Sequence, residues 1–137
     1  MAVIKTLLQL LLGAFLLSAG VSHIGSNRIT FQAQVPTWLP LDPDFVVVAS
    51  GLVEITLGVL LITTALILKR YRGLVGLMAA AFFVLIFPGN INQYVNQINA
   101  FGLDTDTKRF IRLCFQPPLV IWALWSSDGV RSLKKFR

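Results

Sequence analysis

Apolar residues in this chain do not alternate with polar ones at a period that would keep one face in water; they come in long blocks parted by short polar stretches. The first block has no charged residue from Thr6 to Asn27, and its Leu-rich centre, Leu7 to Val21, carries Gly13 and Gly20 as small positions. It predicts a membrane helix over residues 4–23. A cleaved signal peptide is the competing reading, with Lys5 as the positive region and Ser18-Ala19-Gly20 near a cut. A single lysine makes a poor leader, and the chain beyond it continues as a multi-pass protein. The second block, Phe45 to Leu68, holds one charge, Glu54, and stops at Lys69-Arg70-Tyr71-Arg72; it predicts a helix over 45–68. The third is strongly apolar only from Gly73 to Phe87. Its roughly 15 residues rise about 22 Å, short of a hydrocarbon core about 30 Å thick. The helix is therefore expected to kink at Pro88-Gly89 and run on to residue 95. In that extension Ile91, Tyr94, Val95 and Ile98 fall at i, i+3, i+4, i+7, with Asn92, Asn96 and Asn99 on another face. A fourth span over 110–126 carries Arg112, Gln116 and Pro117-Pro118, with Trp122 and Trp125 near its end as interfacial anchors.

Between the first two helices Pro36-Thr37-Trp38-Leu39-Pro40 ends any helix before it and predicts a rigid interfacial loop or short helix, a lid with Trp38 at headgroup level. The pattern as a whole gives an all-α fold: one domain, residues 1–137, an integral membrane four-helix bundle. Composition agrees. The chain is 55% hydrophobic and 13% charged, about half the charged share of a soluble domain, which excludes an ordinary soluble globular protein.

The net charge of +6 would raise the question of nucleic acid if the cations formed a patch among aromatics. They sit at the ends of apolar runs instead, as topology signals do, so no nucleic-acid partner is expected and the lipid bilayer is the first partner. Lys5, Lys69, Arg70, Arg72, Arg131, Lys134, Lys135 and Arg137 fall on one side, against Arg28, Lys108, Arg109 and Arg112 on the other, which predicts that both termini are cytoplasmic. Cys114 is the only cysteine, so no internal disulfide or dithiol centre can form.

The polar exceptions within the apolar blocks are the candidate chemistry. Glu54 lies about 15 Å into its span, where a carboxylate needs a partner or a proton. It shares a helix face with Gly51 and Gly58, which points it at the bundle. Arg112 and Gln116 lie one turn apart, His23 closes the first helix, and Asn90 follows the kink. His23, Glu54, Asn90, Arg112 and Gln116 form the candidate ligand pocket, with Pro36, Trp38 and Pro40 as its lid. Estimated depths separate His23 from Glu54 by about half the hydrocarbon core, which argues against an acid–base couple. Glu54 and Arg112 are then the pair that could fix helix register. The same groups could instead be structural glue, at about 0.6–2 kcal/mol per interhelical hydrogen bond. No soluble catalytic motif and no metal-ligand spacing occurs, so no metal site is assigned.

Taken in order, Ser18-Ala19-Gly20-Val21-Ser22-His23, the Pro36–Pro40 loop, Ser50-Gly51-Leu52-Val53-Glu54 through Gly58, Phe87-Pro88-Gly89-Asn90-Ile91, and Arg112-Leu113 with Gln116 before Trp122 and Trp125 resemble the DoxX-like family of small membrane proteins. The chain departs from that pattern at Ile24, where an aromatic is expected, and at Cys114, where proline is. The resemblance implies a four-helix bundle of the bacterial cytoplasmic (inner) membrane. Its relatives include a subunit of a thiosulfate:quinone oxidoreductase, a partner in a redox-stress complex and animal receptor chaperones, and it assigns no shared reaction. The expectation is an accessory membrane protein rather than an enzyme on its own. No cofactor is evident in the residues, and a quinone is the candidate ligand of the pocket. The alternative is an assembly factor, docking a larger membrane partner or a second copy through a small face of Gly73, Gly76 and Ala80. A dimeric carrier is the weakest reading.

Overall fold

The computed structural model describes residues 1–137 and contains no strand. The three apolar blocks fold as α1 (Ala2–Ile24), α3 (Pro43–Leu66) and α4 (Arg72–Val95), each within a helix long and apolar enough to cross a membrane. Between α1 and α3 the chain makes α2 (Arg28–Phe31), a single 3-10 turn (Gln32–Gln34) and the proline loop. Asp42 caps α3 by accepting from the Asp44 amide, and Pro43 takes the first helical position, where its missing N–H is of no consequence.

The fourth expected span is two helices, α5 (Asp106–Cys114) and α6 (Gln116–Ser126), followed by α7 (Gly129–Lys135). The break falls at Phe115, just before Pro117-Pro118, whose two missing amides cannot bond the carbonyls of Leu113 and Cys114. With 11 residues, α6 is about 16 Å long, about half a hydrocarbon core.

Helix contacts close into a ring: α1 packs on α3, α3 on α4, α4 on α6, and α6 on α1. The α1–α3 crossing is the tightest because both helices carry glycines seven residues apart. A Cβ on Gly20 would lie 2.6 Å from the Gly51 carbonyl, and one on Gly58 2.7 Å from the Gly13 carbonyl. Gly20 thus meets Gly51, and Gly13 meets Gly58. Beyond the glycines, fully buried Gln9 donates to the Leu61 carbonyl and the Thr64 hydroxyl.

Only 32 of 137 residues are buried, so the interior is small for a water-soluble fold. The outer faces of the long helices are clad instead in exposed Leu7, Leu11, Phe15, Leu52, Leu85 and Ile121, a surface suited to lipid. The small face expected for docking is not part of it. Gly73 and Gly76 press against Ser132 and Ser127, and Ala80 is buried, so this stripe seats α6 and α7.

Gly20→Leu is expected to separate α1 from α3 and lower the apparent melting temperature in detergent, an overpacking loss of about 1–3 kcal/mol or more. Ala14→Leu, on the exposed face of the same helix, is expected to leave it unchanged.

Candidate functional site

A cavity of about 560 Å³ opens at the end of the molecule where α1 finishes and α3 begins, under the segment that joins them. Its 24 lining residues, 16 of them hydrophobic, come from α1, α3, α4, α5, α6, the loop after α4 and the segment between α1 and α3, which caps the cavity. His23, Glu54 and Arg112 supply its charged and titratable groups.

The geometry corrects the expectation for His23 and Glu54. Their Nδ1 and Oε2 atoms lie 2.9 Å apart, and both side chains are buried. Two facts close the expected gap. α3 begins about two turns beyond the Gly20–Gly51 crossing, so His23 is not level with the start of α3. The helices also run antiparallel, and since side chains lean toward their own helix N-terminus, His23 and Glu54 lean toward each other. Nδ1 also lies 2.8 Å from the Ala19 carbonyl. The ring's hydrogen bond therefore goes to Ala19, and Glu54 Oε2, though within ion-pair distance of Nδ1, has no hydrogen-bond partner in the protein. The imidazole stacks on Phe31 at 3.5 Å between ring centres, and Phe31 meets Phe101 at 4.7 Å.

The expected Glu54–Arg112 pair does not form. No carboxylate stands within 4.0 Å of Arg112, whose hydrogen bond runs from Nη1 to Gln116 Oε1 at 3.2 Å. Gln116 and Asn90 are buried behind the cavity and do not line it. Gln116 Nε2 donates to the Phe83 carbonyl at 2.6 Å, while its Oε1 accepts from Arg112 and from Asn90 Nδ2 at 3.4 Å. Gln116 thus anchors Arg112 through its carboxamide oxygen, and Asn90 bonds the same oxygen.

Of the expected lid, Pro36 and Trp38 line the cavity and Pro40 does not. The clamp on this lid is the amide face at the end of α4, which faces inward while exposed Ile91 and Val95 face outward. Asn92 donates to the Val35 carbonyl and accepts from Thr37, and Gln34 donates to Gln93. Apolar side chains can face lipid, but buried amides need partners, and the lid backbone supplies them. Gly89 admits the Gln34 carbonyl against α4, where a Cβ would collide with it. At the start of α3, Asp44 accepts from two nitrogens of Arg28, and this carboxylate raises the Arg28 pKa.

Residues beyond the expected set complete the site. Arg109, 5% exposed, donates to Asn99 Oδ1, the Leu103 carbonyl and Asp106 Oδ1. It folds the loop after α4 so that Phe101, at φ 57°, and Leu103 reach the cavity. A non-glycine residue at that φ is uncommon and held by its surroundings. A positive charge in the polar first turn of α5 carried no signal for this role.

Fold and site together define an all-helical protein whose membrane-length helices enclose a capped cavity with a histidine–glutamate couple and an arginine. The chain belongs to the family described as Domain of unknown function (DUF8561), whose model matches residues 12–127. That stretch contains every cavity-lining residue and ends before α7. No curated protein and no solved structure matches the chain.

Asn92→Leu removes the groups that hold Val35 and Thr37. Hydrogen exchange across residues 31–37 should accelerate by the equivalent of about 1–3 kcal/mol, with the amides of the α1–α3 crossing keeping their protection.

Proposed function

We propose that this is a multi-pass membrane protein of a redox system, not an enzyme on its own, whose cavity takes the polar head of a small amphipathic molecule, a quinone. One observation carries the reading: Arg112 projects into a mostly apolar cavity with no carboxylate partner, while a histidine–glutamate couple lines the same space from α1 and α3. Apolar walls with a few convergent polar groups are the make-up of a small-molecule site. An unpaired guanidinium in such a place favours an electron-rich oxygen.

The residues present fit a quinone. Arg112 has N–H groups free to donate to a carbonyl oxygen, and Glu54 beside His23 Nδ1 can hold or pass a proton at Oε2. The aromatic cluster of His23 stacked on Phe31, with Phe101 tilted against it, suits a planar ring. When bound, a quinone supplies two-electron, two-proton chemistry. This chain's residues orient the head, place a titratable couple beside it and cover it with the lid.

The same reading takes α5 and α6 as the fourth membrane element of a four-helix bundle, with both termini in the cytoplasm of a bacterium and the protein in its inner membrane. The cationic excess at the α1 N-terminal end supports that orientation. The order of motifs shared with the DoxX-like proteins supports the relationship to them. The assembly-factor alternative is less favoured, since the small-residue stripe it relied on is covered by α6 and α7.

Titrating the purified protein with short-tailed ubiquinone and menaquinone analogues is expected to quench Trp38, which lines the cavity, and Trp38→Phe should remove most of the signal. Arg112→Gln should weaken binding about 10- to 100-fold, as expected for a hydrogen bond to a charged group, and Glu54→Gln should weaken it less. Absence of quenching by either analogue, or equal affinity in Arg112→Gln, overturns the reading.

A further inference from the structure

The cavity occupies one end of the molecule; the net charge occupies the other, about 27 Å away along α1 from His23 to Lys5. There eight cationic side chains, from Lys5 to Arg137, stand against one carboxylate, Asp128, which is itself paired with Lys5. At the cavity end, four cations stand against five carboxylates, so the whole excess belongs to the opposite end.

The chain there is shaped as well as charged. Asp128, at φ 60°, turns the backbone out of α6, and α7 packs through Gly129 and Ser132 beside Gly73. Arg131, Lys134 and Lys135 share one face of α7 and are exposed, while Val130 and Leu133, 50% and 52% exposed, lie on an adjoining face. That division suits a helix lying in a membrane interface, apolar side toward the acyl chains and cations toward headgroups. An apolar groove of about 460 Å³ runs between α1 and α6, formed by Leu8, Leu11, Pro118, Ile121, Trp122 and Trp125, and its Trp125 end is joined through Lys5 to Asp128, the residue before α7. From Pro118 to Trp125 it extends about 10 Å along the helix axis. Its floor is fixed by the indole of Trp122 donating to the Leu8 carbonyl, and its charged end by Lys5 Nζ, 5.3 Å from the Trp125 ring centre.

We propose that this end is a binding site for an anionic phospholipid, with one acyl chain in the α1–α6 groove and the phosphate against Arg131, Lys134 and Lys135. The occupant is named by charge complementarity. A ligand aliphatic along a groove among apolar helix faces and anionic just beyond its Lys5–Asp128 end, where the unpaired cations of α7 follow, is a phospholipid of negative headgroup. The site is independent of the cavity and of its proposed ligand.

The test is native mass spectrometry of the detergent-purified full chain titrated with phosphatidylglycerol and with phosphatidylcholine of identical acyl chains. Phosphatidylglycerol should bind about tenfold or more tightly. Neutralising α7 by Arg131→Gln, Lys134→Gln and Lys135→Gln together should bring it down to the phosphatidylcholine level. Filling the groove by Ile121→Trp, at an exposed position, should weaken both lipids, with quinone quenching and the melting temperature in detergent as checks that the fold is intact. Equal binding of the two lipids by the unaltered protein overturns the proposal. So does a preference that survives neutralisation, or lipid binding untouched by Ile121→Trp in a folded protein. Displacement of the lipid by millimolar glycerol phosphate also overturns it, since the site would then recognise a soluble phosphate.

Discussion

The antiparallel contact of α1 with α3 through two glycine pairs is the constraint on which the rest depends. Gly13 against Gly58 and Gly20 against Gly51 bring two backbones together with no side chain between them. At that separation the residues three positions beyond Gly20 and Gly51, His23 and Glu54, reach each other across the interface. In lipid there is little hydrophobic drive between helices, so close backbone packing and interhelical hydrogen bonds hold them. The crossing uses both: glycines through its middle, Gln9 with Thr64 toward one end, the histidine–glutamate couple toward the other.

What lay open in the sequence were the features that depend on hydrophobic period and on local backbone chemistry. The three long helices follow from the apolar blocks, and the cap between α1 and α3 from its two prolines. That Glu54 is buried followed from the small residues on its own face. Depth did not follow, because a position counted along one helix says nothing of where the neighbouring helix ends or which way its side chains lean. The Glu54–Arg112 pairing failed for a similar reason: opposite charge suggested a partner, whereas the buried amides of Asn90 and Gln116 had the more exacting need and took Arg112 with them. Phe31, Phe101 and Arg109 were missed because their roles arise from loop geometry, which no periodicity encodes.

The end of α4 reverses the usual sense of amphipathicity, as a lipid surround permits. In a soluble protein the apolar face of a helix turns inward. Here Ile91 and Val95 face outward, and Asn90, Asn92 and Gln93 are buried. The reversal gives the cap its attachment. The amides satisfy the carbonyls and hydroxyls of a segment that has no regular ladder of its own, and the cap thereby closes over the cavity without a large apolar contact. Such a closure is specific in geometry and modest in energy, since each amide bond contributes about 1 kcal/mol net.

His23 Nδ1 lies 2.8 Å from the Ala19 carbonyl and 2.9 Å from Glu54 Oε2, but its hydrogen bond goes to Ala19, one turn back on the same helix. Glu54 Oε2 is left buried with no hydrogen-bond partner in the protein. Arg112, on another helix, has the opposite shortage, several donors and one acceptor. Were these groups only glue, the simplest arrangement would join them directly, because a carboxylate and a guanidinium satisfy each other better than either is satisfied here. Helix α5 instead holds Arg112 away on Gln116, and the space between is lined with apolar side chains. Complementary groups kept apart across a cavity support the proposal that a ligand from outside the chain completes the site.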